Sequence, residues 1–263
     1  RVAALGSISA TLKNWNGANA SAAATKFVLW GAGETKTGAN PATFTNVPTG
    51  QPWLEGYQSG AFSEYEFWTS KQVTVTANQT VTATLTRDLP YTTQVKLINA
   101  STNTELAAGQ VTPPNTQVRA EATVKNPLSG TALNAKVQLL LDRDKASPYD
   151  SDQTSQFQSI SGSGGEKPFT FTYTPDASKT GQYYFGLRVF TTFTTGSTGL
   201  TDSGYWSQTF NVQQQYGAVG ATLKNWNGSN ATPAATKFIA WPSGKTATSS
   251  NPEIGRASCR ERV

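Results

Sequence analysis

The sequence predicts an all-β chain built as tandem β-sandwich modules, and three observations carry that reading. Apolar residues alternate with polar ones, as Val81, Ala83 and Leu85 do against Thr82, Thr84 and Thr86. That is the pattern of a strand with one buried face. Helical spacing is nearly absent, while Gly, Pro and Asn-Gly turns interrupt the chain about every ten residues. The third observation is a repeat. Ala10-Thr-Leu-Lys-Asn-Trp-Asn-Gly17 returns as Ala221-Thr-Leu-Lys-Asn-Trp-Asn-Gly228, an offset of 221 − 10 = 211 residues.

The repeat continues through Ala23–Phe27 and Ala234–Phe238, Trp30 and Trp241, and Asn40-Pro41 and Asn251-Pro252. From Gly6 to Pro41 roughly two in three positions recur. A unit that returns after an unrelated stretch implies an array of modules, not one enzyme body. The expected organisation places residues 1–5 at the end of a preceding module and a first sandwich over 6–88. A second sandwich follows over 89–215, and a truncated copy of the first over 216–252. Residues 253–263, Glu-Ile-Gly-Arg-Ala-Ser-Cys-Arg-Glu-Arg-Val, back-translate to a common sequencing adapter. They are set aside from the fold as an artefact tail of a metagenomic fragment, and the intact protein is expected to be longer in both directions.

The strands of the first module are expected at Ile8–Lys13, Thr25–Trp30, Thr43–Val47, Trp53–Tyr57, Tyr65–Trp68, Val73–Ala77 and Val81–Thr86. Asn14-Trp-Asn-Gly17 and Pro48-Thr-Gly50 supply turns between them. In the second module the alternating runs are Val118–Val124, Ala135–Leu141 and Phe169–Tyr173.

Composition narrows the chemistry. The chain has no His, no Met and one Cys, Cys259, which lies in the tail. Cys/His and Ser/His nucleophile pairs are therefore excluded, as are zinc sites of the usual ligands. Without disulfides each module must stand on its apolar core. The formal charge is +5, but the basic residues are scattered and form no nucleic-acid stripe. Charged residues are 14%, and exposed strand faces carry Thr instead. No apolar run reaches membrane-spanning length.

In the first module, Pro41-Ala-Thr-Phe-Thr-Asn-Val-Pro-Thr-Gly50, Leu54-Glu-Gly-Tyr57 and Val73-Thr-Val75 resemble the transthyretin-like sandwich of carboxypeptidase-regulatory-like and PEGA domains. The resemblance covers about a third of the chain. It implies an accessory domain. In the second module, Thr112-Pro-Pro-Asn115, Val118–Val124, Asn126-Pro-Leu-Ser-Gly130 and Thr180–Val189 are similar to Ig-like adhesion domains of the CARDB type. That likeness implies a bacterial or archaeal surface protein, extracellular or attached to the cell.

Three groups of residues are candidates for chemistry. Asp142, Asp144, Asp150 and Asp152 crowd one segment, and such carboxylates can supply the oxygen ligands of calcium. Arg143 and Lys145 offset them, and a solvated loop explains the run equally. Glu64 and Glu66 alternate on one strand, where two carboxyls about 7 Å apart match the spacing used in glycoside hydrolysis. Hydrolase pairs generally face each other across a cleft, so catalysis is not expected. Trp15, Trp53, Tyr57 and Trp68, with Tyr65 and Trp206, could form a platform for sugar rings, or could plug the cores. Trp15 sits in a turn, where a large apolar ring suits contact with a neighbouring module, a ligand or the core.

The expected role is a non-catalytic stalk, spacer or adhesive segment, with no enzyme activity and no nucleic-acid partner. Its partners would be neighbouring modules of the same chain and a polysaccharide or surface glycan. The alternative is a carbohydrate-binding accessory region of a polysaccharide-active enzyme. Stiffness is expected to depend on the joints near Arg87–Pro90 and Gln213–Tyr216.

Overall fold

A computed structural model describes residues 4–193, 196–213, 216–232, 237–240, 245–248 and 253–258. Along β1 (Leu5–Lys13) every second side chain is buried, so Ile8, Ala10 and Leu12 point into one core. β1 begins at Leu5, within what was expected to be a preceding module, and Ala4 accepts a hydrogen bond from Thr49 N–H. β4 (Ala42–Pro48) pairs β1 antiparallel, and β7 (Thr80–Thr86) pairs it parallel. The facing sheet runs β3 (Glu34–Thr37), β2 (Thr25–Leu29), β5 (Trp53–Ser59), β6 (Tyr65–Gln72). Phe27, Leu29 and Leu54 meet Ile8, Leu12, Phe44 and Leu85 between the sheets. At Gly56 an added Cβ would lie 2.7 Å from Leu12 Cδ1, so a glycine here lets the sheets close.

One expected strand fails here and one unexpected strand is present, both for backbone reasons. Val73–Ala77 alternates, and Val73 and Val75 are buried, yet it forms only an isolated bridge from Val75 to Gly50. Alternation reports which side chains face the core. A ladder also needs an open partner edge. Conversely, β3 contains no apolar residue and is held entirely by its register with β2, Lys26 opposite Thr37.

The second sandwich has one sheet ordered β15 (Glu166–Tyr173), β11 (Val118–Lys125), β8 (Tyr91–Asn99), β9 (Thr104–Glu105). Its other sheet runs β10 (Gln110–Thr112), β17 (Thr198–Val212), β16 (Gly181–Thr192), β12 (Leu133–Asp142), β13 (Ser151–Thr154). β14 (Gln158–Ile160) also pairs with β12. Tyr183 and Phe210 stack at 5.1 Å in its core, and the Tyr183 hydroxyl donates to Lys179 C=O. The two buried clusters are separate. One is drawn from residues 8–85 and the other from 95–212, on either side of Asp88.

The repeat reproduces its geometry. β19 (Lys237–Ala240) pairs β20 (Lys245–Thr248) with Lys237 opposite Thr248, each 211 residues beyond Lys26 and Thr37. β18 (Tyr216–Ala221) pairs β21 (Glu253–Ser258), with Ala221 opposite Glu253 as Ala10 is opposite Ala42. Residues 253–258, expected outside the fold, thus take the β4 position. Strand pairing uses backbone groups, so it does not require the side chains of the first copy. Cys259, Trp241 and the Gln214-Gln215 part of the second joint lie outside the described residues.

Candidate functional site

The chain leaves β7 at Thr86 and enters β8 at Tyr91, with Arg87, Asp88, Leu89 and Pro90 between. Across this short link the first sandwich packs against β16 and β17 of the second. Arg87 is the centre of that joint. Its backbone N–H donates to Lys13 C=O, which fixes it to the first sandwich. Its guanidinium reaches into β17, donating to Thr201 C=O at 2.6 Å and to Asp202 Oδ1 at 2.8 Å. Asp202 Oδ2 accepts from Thr92 N–H at 2.8 Å, and the Thr201 hydroxyl donates to Pro90 C=O at 2.9 Å. The same guanidinium lies over the rings of Trp68 and Tyr91, 4.6 and 5.2 Å from their centroids. Desolvated cation–π contacts of this kind are each worth about 1–2 kcal/mol.

Glu66, on the inward side of β6, supplies a second tie. Its Oε1 accepts from Ser203 N–H at 2.7 Å and from the Ser203 hydroxyl at 2.9 Å, while Oε2 accepts from Trp68 Nε1 at 2.9 Å. Burial, and after it the charge of Asp202, pushes the Glu66 carboxyl above the usual carboxylate range. Trp68, Arg87 and Ser203 only partly offset that rise. Burial also pushes Asp88 up, to about 6. Around this polar centre lie apolar and charged contacts. Arg188 sits over Phe62 at 4.3 Å and donates to Glu64 Oε1 at 3.1 Å; Phe62 packs on Tyr205 and Phe67 on Phe193. Glu64 and Glu66 are therefore both engaged with the second sandwich, one exposed and one buried, and do not face each other across a cleft.

The aromatic candidates divide. Trp15 stacks on Tyr91 at 5.4 Å and 12°, so it belongs to the joint. Trp68 is buried beneath Arg87. Trp206 packs against the second core. Trp53 and Tyr57 instead point outward from the four-stranded sheet, because Leu54, Gly56 and Gln58, which alternate with them, point inward. Trp30 joins them: its N–H donates to Trp53 C=O at 2.8 Å, which sets the two residues directly opposite. They are 56% and 50% exposed. Lys26 lies over Tyr57 and Tyr65, 4.5 and 4.1 Å from their centroids, and the Tyr57 hydroxyl donates to Glu55 at 2.7 Å. Trp30 carried a sequence signal, since it alternates with Phe27 and Leu29, but which residue stood opposite was not readable. The Arg87–Pro90 joint was expected to set stiffness, but the role of the Arg87 side chain was not read, and Asp202 was missed.

The four aspartates are dispersed among local partners. Asp150 receives Arg143 and Lys179, each at 2.8 Å. Burial alone would raise its carboxyl, but those two hydrogen bonds outweigh burial and hold it below the usual range. Asp152 lies in β13 and accepts from Gln138, while Asp142 and Asp144 both accept from Ala146 N–H. Among the described residues no cluster of three or more His, Cys, Asp or Glu side chains is arranged to hold a metal ion.

No family model matches the sequence, and no curated protein matches it. Among solved structures, the chain is similar to the full-length major pilin SpaD from Corynebacterium diphtheriae, at 13% identity over 97% of this chain and 80% of that one, TM-score 0.42. It is also similar to the C-terminal domain of wzt, at 12% identity over 48% of this chain and 74% of that one, TM-score 0.36. A candidate carbohydrate-binding protein from Bacteroides uniformis matches at 10% identity over 76% of this chain and 98% of that one, TM-score 0.35.

Proposed function

We propose that this chain is a non-catalytic spacer segment of an extracellular or cell-surface protein, in which the first two sandwiches act as one stiff unit. The observation that carries this is Arg87. It is buried at the boundary, hydrogen-bonded to Thr201 and Asp202 of the second sandwich, and covered by aromatic rings from both. Removing one partner of such a buried pair costs about 3–5 kcal/mol, so bending at this joint is expensive. Two independent cores joined in this way transmit orientation, which is what a spacer requires. Assignment of the first sandwich to the transthyretin-like accessory domains and of the second to CARDB-type Ig-like domains accords with this role. So does a surface rich in Thr and poor in charge. Among the described residues no helix is long and apolar enough to cross a membrane.

The test is a distance measurement across the joint. With Cys259 replaced by Ser, nitroxide labels at Thr35→Cys and Thr170→Cys place one probe on an exposed site of each sandwich. A narrow distance distribution is expected in the otherwise unaltered chain, and a broad one in Arg87→Ala and in Trp15→Ala. A broad distribution before any joint substitution would refute the stiff-unit reading.

A further inference from the structure

We propose that the outward face of the first sandwich's β3-β2-β5-β6 sheet binds a neutral polysaccharide, with Trp30 and Trp53 as stacking surfaces and Lys26, Glu55 and Tyr57 as polar contacts. This goes beyond the spacer role and is independent of it, because none of these five residues takes part in the joint.

The argument starts from alternation. On β2 and β5, Phe27, Leu29, Leu54 and Gly56 point into the core, which sends Lys26, Val28, Trp53, Glu55 and Tyr57 outward. The cross-strand register then sets Lys26 opposite Tyr57, Val28 opposite Glu55 and Trp30 opposite Trp53. The result is a ribbon with an indole pair at one end and the Lys26–Tyr57–Tyr65 group at the other. Four residues of strand separate the ends, about 13 Å.

An indole left half in water on a sheet face costs apolar surface that core packing would otherwise bury. Two directly opposite each other, with an acid, a hydroxyl and an amine set along the same face, form a mixed surface rather than a purely apolar one. A protein or lipid partner would want contiguous apolar area. A sugar chain wants alternation: its C–H faces stack on aromatic rings while its hydroxyls at the ring edge exchange hydrogen bonds. The polar groups are also already oriented. Tyr57 is fixed by its bond to Glu55, and Lys26 is held between two rings. Restrained contact groups lose less entropy on binding.

Charge selects the neutral class. Lys26 and Glu55 balance on this face, so no net field favours an acidic polymer, although the chain as a whole carries +5. Binding at the ribbon is therefore expected to resist salt, whereas adsorption through the overall charge would not. At the Tyr57 end, Phe193 packs edge-on against Phe67 and closes the ribbon with a wall from the second sandwich.

The experiment is depletion of the full chain from solution by insoluble cellulose, chitin, curdlan, xylan and starch, with polygalacturonate as the acidic control, at low and at 1 M salt. Saturable, salt-resistant binding to at least one neutral polymer is expected. Truncation of an aromatic anchor removes a dominant contact, so Trp53→Ala and Trp30→Ala should each weaken binding about tenfold or more. Trp53→Phe should retain part of it, and Trp226→Ala, which alters another exposed indole, should leave it intact. Circular dichroism of each variant separates lost binding from lost folding. No binding to any neutral polymer, binding only to polygalacturonate that salt abolishes, or equal binding by Trp53→Ala would overturn the proposal. So would concentration-dependent self-association in sedimentation that Trp53→Ala removes, since the face would then be a contact between copies. The label distances across the joint test the spacer role separately, so either reading can fail alone.

Discussion

Asp88→Asn should stabilise the protein at neutral pH and do nothing at acid pH. Asp88 follows Arg87 in the joint, donates its N–H to Trp68 C=O, and has a carboxyl pushed up to about 6 by burial despite a hydrogen bond from Thr69. A rise from the ordinary 3.8 to about 6 corresponds to about 3 kcal/mol at most. Asp88 is only half-buried, so solvent screening brings the effect to about 1–2 kcal/mol. The sign follows from proton binding. The folded state holds this proton more tightly than the unfolded chain does. Its contribution is therefore fully present below pH 3.8 and is lost as pH rises through about 6. Asn is neutral throughout and its side-chain oxygen can still accept from Thr69. Glu66 shifts the same way but is a poorer test, because a Gln amide there would turn a donor toward Ser203 or toward Trp68 Nε1. Urea unfolding followed by tryptophan fluorescence, from pH 3 to pH 8, reads the difference between variant and parent. That difference should be near zero at pH 3, grow between pH 4 and 6, and reach about 1–2 kcal/mol above pH 7. A difference independent of pH, or a less stable variant at pH 8, would show that burial does not control this carboxyl.

Asn126 is fully buried at a turn of the second sandwich, donating to Thr131, Ile160 and Ser161 carbonyls and accepting from Leu128 N–H. Asn126→Ala leaves these groups without their partner and should cost about 2–4 kcal/mol, read as a lowered urea midpoint. Millimolar calcium should leave the melting temperature unchanged against a chelator control, because both Asp150 oxygens are engaged by Arg143 and Lys179. A rise of several degrees would instead make the Asp142–Asp152 segment a cation site.

How far the sequence reaches depends on whether a feature is local. Val81, Ala83 and Leu85 alternate because β7 has one buried face, and that face is visible in the residues themselves. β3 is not visible, since Glu-Thr-Lys-Thr becomes a strand only through the edge that β2 offers it. β8 was also hidden. Its register with β11 skips Thr93, and both faces of its start are covered at the joint, Tyr91 by the Trp15 ring and Thr92 beside Asp202, so adjacent residues are out of water. The acid run illustrates the converse. Four aspartates close in sequence look like a ligand set, but Asp142 and Asp144 turn to Ala146 N–H, Asp150 to Arg143 and a distant Lys179, and Asp152 to Gln138. The joint was the least legible part. Arg87 and Asp202 are 115 residues apart, and nothing in either neighbourhood announces the other.

The duplicated turn shows what belongs to sequence and what to surroundings. In the first copy Asn14 N–H donates to Ala18 C=O, Asn16 accepts from Ala18 N–H, and Gly17 has φ near +84°. In the second, Asn225 N–H donates to Ser229 C=O, Asn227 accepts from Ser229 N–H, and Gly228 has φ near +83°. The bridges Lys13–Asn19 and Lys224–Asn230 match as well. Yet Trp15 is stacked on Tyr91 while Trp226 is 99% exposed. The turn therefore does not need its tryptophan to be covered in order to form; the two asparagines and the glycine specify it. The ring is a preformed projection, and its role is set by whatever the next element presents. At the first joint that is Tyr91, with Arg87 across the same ring, and the sandwich docks there with little ordering left to do. If the joint is stiff, as proposed, its parts need no contact with each other to take their shape, and two separate cores can be joined by a buried ion pair.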